Sequence, residues 1–154
     1  MKELNSLLKS NIYLTCPDPF EFLPELLSMV GHSNFNEYNL NKKLKARDEA
    51  LNVIRILAEL GILIVHEWYT MPELNNIKLS TKDMLMHLDK VWFKEAKEAD
   101  FYNMVIFGSP NWYLEKTKDM GLTITTDWKT FVKKRIGDLE DWIEKNKPKE
   151  SSNT

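Results

Sequence analysis

Between residues 46 and 60, Leu51, Ile54, Leu57 and Ala58 recur at the three- and four-residue spacing of one helix face, and Val53, Ile56 and Leu60 widen that face. Only Asn52, Arg55 and Glu59 remain as a narrow polar stripe, so the pattern predicts a mostly buried helix. Gly61 follows, a residue that takes the left-handed conformation ending a helix without a Cβ penalty. The β-branched, apolar run from Ile62 to Val65 then predicts a strand reaching Trp68. Upstream of this helix, Lys42, Lys43, Lys45 and Arg47 form a basic cluster. Asp48 and Glu49 come next, and acids favour a first helical turn, so the cluster is expected to be a solvated helix start.

The same periods organise the rest of the chain. Residues 4–14 predict a short helix, and Cys16-Pro17-Asp18-Pro19 a rigid turn, because each proline fixes φ and restricts the residue before it. Phe20, Leu23, Leu26, Leu27 and Val30 predict a helix closed by Gly31, with Asp18 as cap, Pro19 in the first position and Pro24 as a kink. Residues 32–41 are rich in turn formers and predict a loop with one helical turn held by Phe35 and Tyr38. A turn is expected at 71–76, and Ser80 then caps a helix whose buried face is Met84, Leu85, Leu88, Val91 and Trp92. A charged connector at 94–100 leads to a strand at 101–107, ended by Gly108-Ser109-Pro110. Asn111 is placed as the cap of a helix ending near Met120 and Gly121, and residues 122–125 as a short strand. Capped by Thr126 or Asp127, a last helix carries Trp128, Phe131, Ile136, Leu139, Trp142 and Ile143 at helical spacing. Residues 1–145 read as one α+β domain and 146–154 as a disordered tail.

Composition narrows the classes of function. A chain of 154 residues needs no staple, and its one cysteine, Cys16, excludes an internal disulfide. The three histidines form no zinc-ligand spacing with it, so neither a metal nor a cofactor is expected. An N-terminus beginning Met1-Lys2-Glu3 and the lack of any run near 20 apolar residues point to a cytoplasmic protein with no membrane span. A net charge of -2 gives no global attraction to phosphate backbones. Arginine, the usual reader of guanine edges, occurs only at 47, 55 and 135.

Catalytic patterns are sparse. His66-Glu67 and His87 with Asp83 or Asp89 pair an imidazole with a carboxylate, but neighbours on a strand face opposite ways, and a helix pair at i, i+4 is first an exposed surface contact. No metalloprotease, phosphate-loop, dinucleotide or nucleophile-elbow motif is present. The expectation is a protein without catalytic residues and without a small-molecule substrate.

Taken in order, Leu60-Gly61-Ile62 after an apolar helix, a strand, a turn, Leu79-Ser80 opening a helix that ends in Val91-Trp92, and the aromatic stretch from Phe101 to Phe107 resemble small, largely uncharacterised bacterial winged-helix-like proteins. The resemblance covers roughly residues 17–120. It implies a winged-helix-like core with a small antiparallel sheet and an added C-terminal helix, the wing falling at 71–76. The chain departs from the pattern there, since Met71-Pro72-Glu73 replaces a glycine-rich wing. In general character, a mildly acidic single domain rich in lysine and asparagine, it also resembles immunity proteins of contact-dependent growth inhibition toxins. That second resemblance implies a protein partner, a basic toxin domain such as a nuclease. The matching surface would be the acidic set Asp138, Glu140, Asp141 and Glu144 on the last helix, with Asp18, Glu21 and Glu25 near the first. Exposed tryptophan or tyrosine would anchor it. The alternative is a winged-helix DNA-binding transcriptional regulator. Its recognition helix would carry Arg47 and Arg55 against Asp48, Glu49 and Glu59, two positive and three negative charges for a net of -1, which disfavours nucleic acid.

Overall fold

The computed structural model describes residues 21–123 and 128–148. In chain order these form α1 (Leu23–Met29), a 3₁₀ turn (Phe35–Glu37), α2 (Leu40–Leu60), β1 (Ile64–Trp68) and a second 3₁₀ turn (Pro72–Asn76). They continue through α3 (Thr81–Val91), α4 (Glu98–Phe101), β2 (Val105–Gly108), α5 (Asn111–Asp119), α6 (Trp128–Phe131), a π-helical stretch (Val132–Ile136) and α7 (Leu139–Asn146). The fold is therefore α+β. The helix expected at 4–14, the turn at 16–19 with Asp18, residues 124–125 of the expected strand and the end of the tail lie outside the described residues.

α2 starts earlier than its acids imply. Asn39 is the N-cap, its side chain accepting the Lys42 N–H at 2.9 Å, so the basic cluster rides on the helix itself instead of preceding it. Lys42 lies over the Tyr38 ring and Lys43 over Phe35. The C-terminus follows expectation. Gly61 has φ +83, its N–H donates to Ala58 O at 3.0 Å, and the Ile62 N–H reaches Leu57 O at 3.1 Å. Gly31 and Gly121 end their helices by the same paired bonds, at φ +92 and +99. α1 differs from expectation at its start: Phe22 is the N-cap and Pro24 falls in the first turn, where its missing N–H costs nothing, so no kink arises.

Ser80 caps α3 as its sequence implies, accepting the Asp83 N–H at 3.1 Å. α3 packs on α2, and Arg47 of α2 closes the far end of that contact. Its guanidinium, 12% exposed, donates to Asp89 O at 2.8 Å and to Trp92 O at 3.0 and 3.2 Å, and pairs with the Asp89 carboxylate at 2.8 Å. A cation on the terminal carbonyls of α3 both satisfies them and opposes the negative end of the helix dipole.

β1 and β2 pair antiparallel, Ile64 opposite Gly108 and Trp68 opposite Val105, with a bulge at His66 between Val65 and Glu67. The turn at Pro72–Asn76 does not join these strands; it leads from β1 into α3, and both α3 and α4 intervene before β2. The strand expected at 101–107 is shorter and later. The Asp100 carboxylate accepts the Lys97 N–H at 2.8 Å and starts α4, so Phe101 ends a helix and is fully buried. Leu122 and Thr123 lie in no strand.

The C-terminal helix read as continuous is broken. α6 passes into the π-helical stretch, Gly137 takes φ 84 and ψ -105, and Asp138 caps a new helix, α7. An aromatic cluster holds the pieces together: Trp128 Nε1–H donates to the Tyr113 hydroxyl at 3.1 Å, and Trp142 sits 6.1 Å from Trp112 and 6.0 Å from Tyr113 between ring centres. A Cβ on Gly137 meets nothing within 4 Å, so substitution there is penalised by conformation alone. Gly137→Ala is expected to destabilise the fold by about 1–3 kcal/mol in urea unfolding. Gly108→Ala, whose backbone lies outside the left-handed region and whose Cβ would meet His66 at an ordinary 3.7 Å, should change stability by less than about 1 kcal/mol.

Candidate functional site

The acids singled out by charge are largely occupied locally. Asp138 accepts the Asp141 N–H at 3.0 Å as the cap of α7, Asp141 pairs with Lys145 at 2.9 Å and Glu144 with Lys147 at 3.4 Å, while Glu140 is half-buried. Glu25 folds back on its own helix start, accepting the Phe22 N–H at 3.3 Å and the Glu21 N–H at 3.4 Å. Glu21 is exposed, and its main-chain oxygen accepts the Phe107 N–H at 2.7 Å, so it also serves β2. α1 packs on α2 and α4, and α7 on the π-helical stretch, so the two acidic sets are carried by different parts of the fold. The Lys145 pKa is raised above its ordinary value, chiefly by its hydrogen bond to Asp141 and then by the Asp141 charge, with desolvation opposing the shift and the Asp138 charge adding least.

Arg47 and Arg55, expected on a nucleic-acid face, and Arg135 are likewise engaged within the chain. Arg47 closes α3, Arg55 pairs with Glu59 at 2.7 Å and bonds Asn52 at 2.9 Å, and Arg135 donates to Met120 O at 3.1 and 3.2 Å at the end of α5.

The histidines separate into three environments. His66 is exposed at the bulge, and His87 turns its ring edge to Trp68 at 6.3 Å with its Nδ1 buried and lacking a hydrogen-bond partner, so neither forms the carboxylate pair its sequence neighbours allowed. His32, which the sequence did not single out, makes the strongest arrangement. Nδ1 lies 2.9 Å from the Tyr38 hydroxyl and Nε2 2.6 Å from Glu49 Oε2. A carboxylate oxygen accepts, so Nε2–H is the donor to Glu49, while Nδ1 and the Tyr38 hydroxyl share the second bond. Seventeen residues separate His32 from Glu49, and only the turn of the chain after Gly31 brings them together. The chain Tyr38–His32–Glu49 straps the loop to α2.

Among the described residues no group of three or more histidines, cysteines or carboxylates is arranged to hold a metal, and no helix is long and apolar enough to cross a membrane. What the surface does present is a largely apolar groove of about 400 Å³, lined by Met71, Val91, Met104 and one aromatic ring, Phe93, with Lys90 and Asp100 as its charged members. Phe93 is 47% exposed; Tyr102, beside lining residue Asn103, is 48% exposed and packs on Phe22, and Tyr69, beside lining residue Thr70, is 42% exposed. The exposed Phe93 ring in this groove is the feature that charge-based reading missed. Comparison with protein-family models, with curated proteins and with solved structures finds no match.

Two outcomes follow from these contacts. His32→Ala should cost about 1–3 kcal/mol through two lost hydrogen bonds, and Tyr38→Phe about 1 kcal/mol, both read from urea unfolding. Asp141→Asn should bring the Lys145 pKa down toward its ordinary value, read by ¹⁵N-detected titration. Because folding raises that pKa, the pair's contribution is complete below the ordinary lysine range and fades as pH rises through the folded value.

Proposed function

We propose that this chain is a non-enzymatic binding protein that attaches to and blocks another protein, in its sharpest form an immunity protein against a bacterial toxin domain. The observation that carries the reading is the groove lined by Met71, Val91, Phe93 and Met104, in which the Phe93 ring is 47% exposed, together with the exposed rings of Tyr69 and Tyr102, each next in sequence to a lining residue. Tyrosine and other large rings held on a rigid scaffold, with little side-chain entropy left to lose, dominate the energetics of protein interfaces. Phe93 lies just past α3 and Tyr102 just past α4, both anchored by neighbours that are fully buried, Trp92 and Phe101. The backbone that carries Phe93 and Tyr102 is therefore anchored, and the Tyr102 ring is further held against Phe22 at 4.9 Å between ring centres. Blocking a toxin calls for such a preformed surface.

The acids of α7 play the secondary part in this reading. Asp138, Glu140, Asp141 and Glu144 bring four negative charges and Lys145 and Lys147 return two positive ones, leaving a net of -2 along the helix. That field steers a basic partner toward the complex more than it holds it there.

The test is binding and neutralisation of the toxin domain encoded beside the gene for this chain. The wild-type chain should restore growth and form a tight complex. Phe93→Ala and Tyr102→Ala should each weaken it about 30-fold or more, as interface anchors do. Asp141→Asn with Glu144→Gln should change mainly the association rate, and only at low salt. Failure to neutralise any neighbouring toxin, together with salt-sensitive retention of duplex DNA, would replace this reading with that of a DNA-binding regulator.

A further inference from the structure

We infer that the outer edge of β1 is a docking groove for an acidic, extended peptide segment, taken up by strand addition. The sheet has two strands, so each has one edge without a strand partner among the described residues. On β2 that edge is met by main chain, the Phe107 N–H donating to Glu21 O at 2.7 Å. On β1 it is met only at the end. Asn75 Oδ1 accepts the Trp68 N–H at 2.7 Å and Asn75 Nδ2 donates to Trp68 O at 3.2 Å, so one side-chain amide reproduces the pair of bonds a neighbouring strand would make.

Ahead of that amide, Ile64, Val65 and His66 border a groove of about 390 Å³. Its other side is supplied by the segment from Ile77 to Thr81 and by Met84 of α3. Ile64 is 42% and Ile77 56% exposed, apolar side chains that an added strand would cover. An edge strand offers main-chain groups to any extended sequence, and flanking side chains then select every second residue of it. Here the selection is by charge. Lys78 is the cationic side chain of the lining, and no aspartate or glutamate is among its residues, although the chain as a whole is acidic. The start of α3 borders the same groove through Ser80 and Thr81, but Asp83 in its first turn offsets the positive end of the helix, so Lys78 carries the selection. The groove shares no lining residue with the one that holds Phe93, so this inference stands or falls separately from the toxin-blocking reading.

The probe is a labelled decapeptide alternating glutamate and valine, titrated into the full chain by fluorescence anisotropy. Saturable binding is expected, weakening with salt and falling about tenfold with Lys78→Glu, a change at an exposed position that leaves the fold intact by circular dichroism. The same peptide N-methylated on alternate amides, which removes its ladder donors, should bind at least about tenfold more weakly. Backbone amide shifts should concentrate at Ile64, Val65 and His66, with Phe93 and Asn103 unmoved. Lack of saturation, equal binding by the Lys78→Glu variant, tolerance of N-methylation, or shifts centred on Phe93 would each overturn the inference.

Discussion

The fold depends on covering one helix. Ala46, Ala50, Val53, Ile54, Ile56, Leu57, Ala58 and Leu60 of α2 are all buried, and at roughly 100° per residue they span about 200° of its circumference. A helix on the surface of a domain needs only about half that width of apolar stripe. No single neighbour can cover such a face, so α1 and α3 both pack against it. Arg47 fixes how they do so: its position on α2 is tied through the terminal carbonyls of α3, and the Trp92 ring lies 5.6 Å beneath its guanidinium. At the other end the Gly61 reversal buries Ile62 and Leu63 at once and sends the chain directly into β1. Geometry at both ends of one helix thus determines where the sheet begins and where α3 stops.

A two-stranded sheet is marginal by itself and borrows its stability from what surrounds it. β2 contributes Val105 and Phe107, both essentially inaccessible, to the same core that α2 fills, whereas β1 alternates between exposed and half-buried until Trp68. The bulge at His66 adds twist to the exposed part of β1, a device that discourages indiscriminate edge pairing. Asn75 closes one end of that edge, and the result is a short, bounded stretch of open strand instead of a long one.

Where a residue decides structure through its own backbone, the sequence was sufficient. Gly31, Gly61 and Gly121 end helices and Ser80 begins one because those effects act over three or four residues, and each was legible without the fold. Legibility failed where two local signals competed. Asp100 capping Lys97 overrode the strand-like pattern from Phe101 to Phe107, and Asn39 capped α2 a full turn and more before the acids that seemed to mark its start. Gly137 interrupts a stretch whose apolar spacing stays helical on both sides, because α6 and α7 pack on the same cluster of Tyr113, Trp112 and Trp142 and so keep a common period across the break. The strap of Tyr38, His32 and Glu49, and the two grooves, were out of reach altogether: they consist of residues far apart in the chain, joined only once α2 has its neighbours.

Charge behaves differently from hydrophobic pattern in this respect. All three arginines and most of the acids first marked as an interface satisfy helix ends or pair with a residue three or four positions away. A helix terminus left bare costs more than a surface charge gains from a distant partner, so capping claims these side chains first. The fields that remain, such as the net of -2 along α7, are screened by salt over roughly 8–10 Å. Such a field can speed the approach of a partner at low salt but does little to hold it. Affinity has to come from features that need contact to act: an exposed ring and apolar side chains along a groove, and main-chain groups along a short open edge.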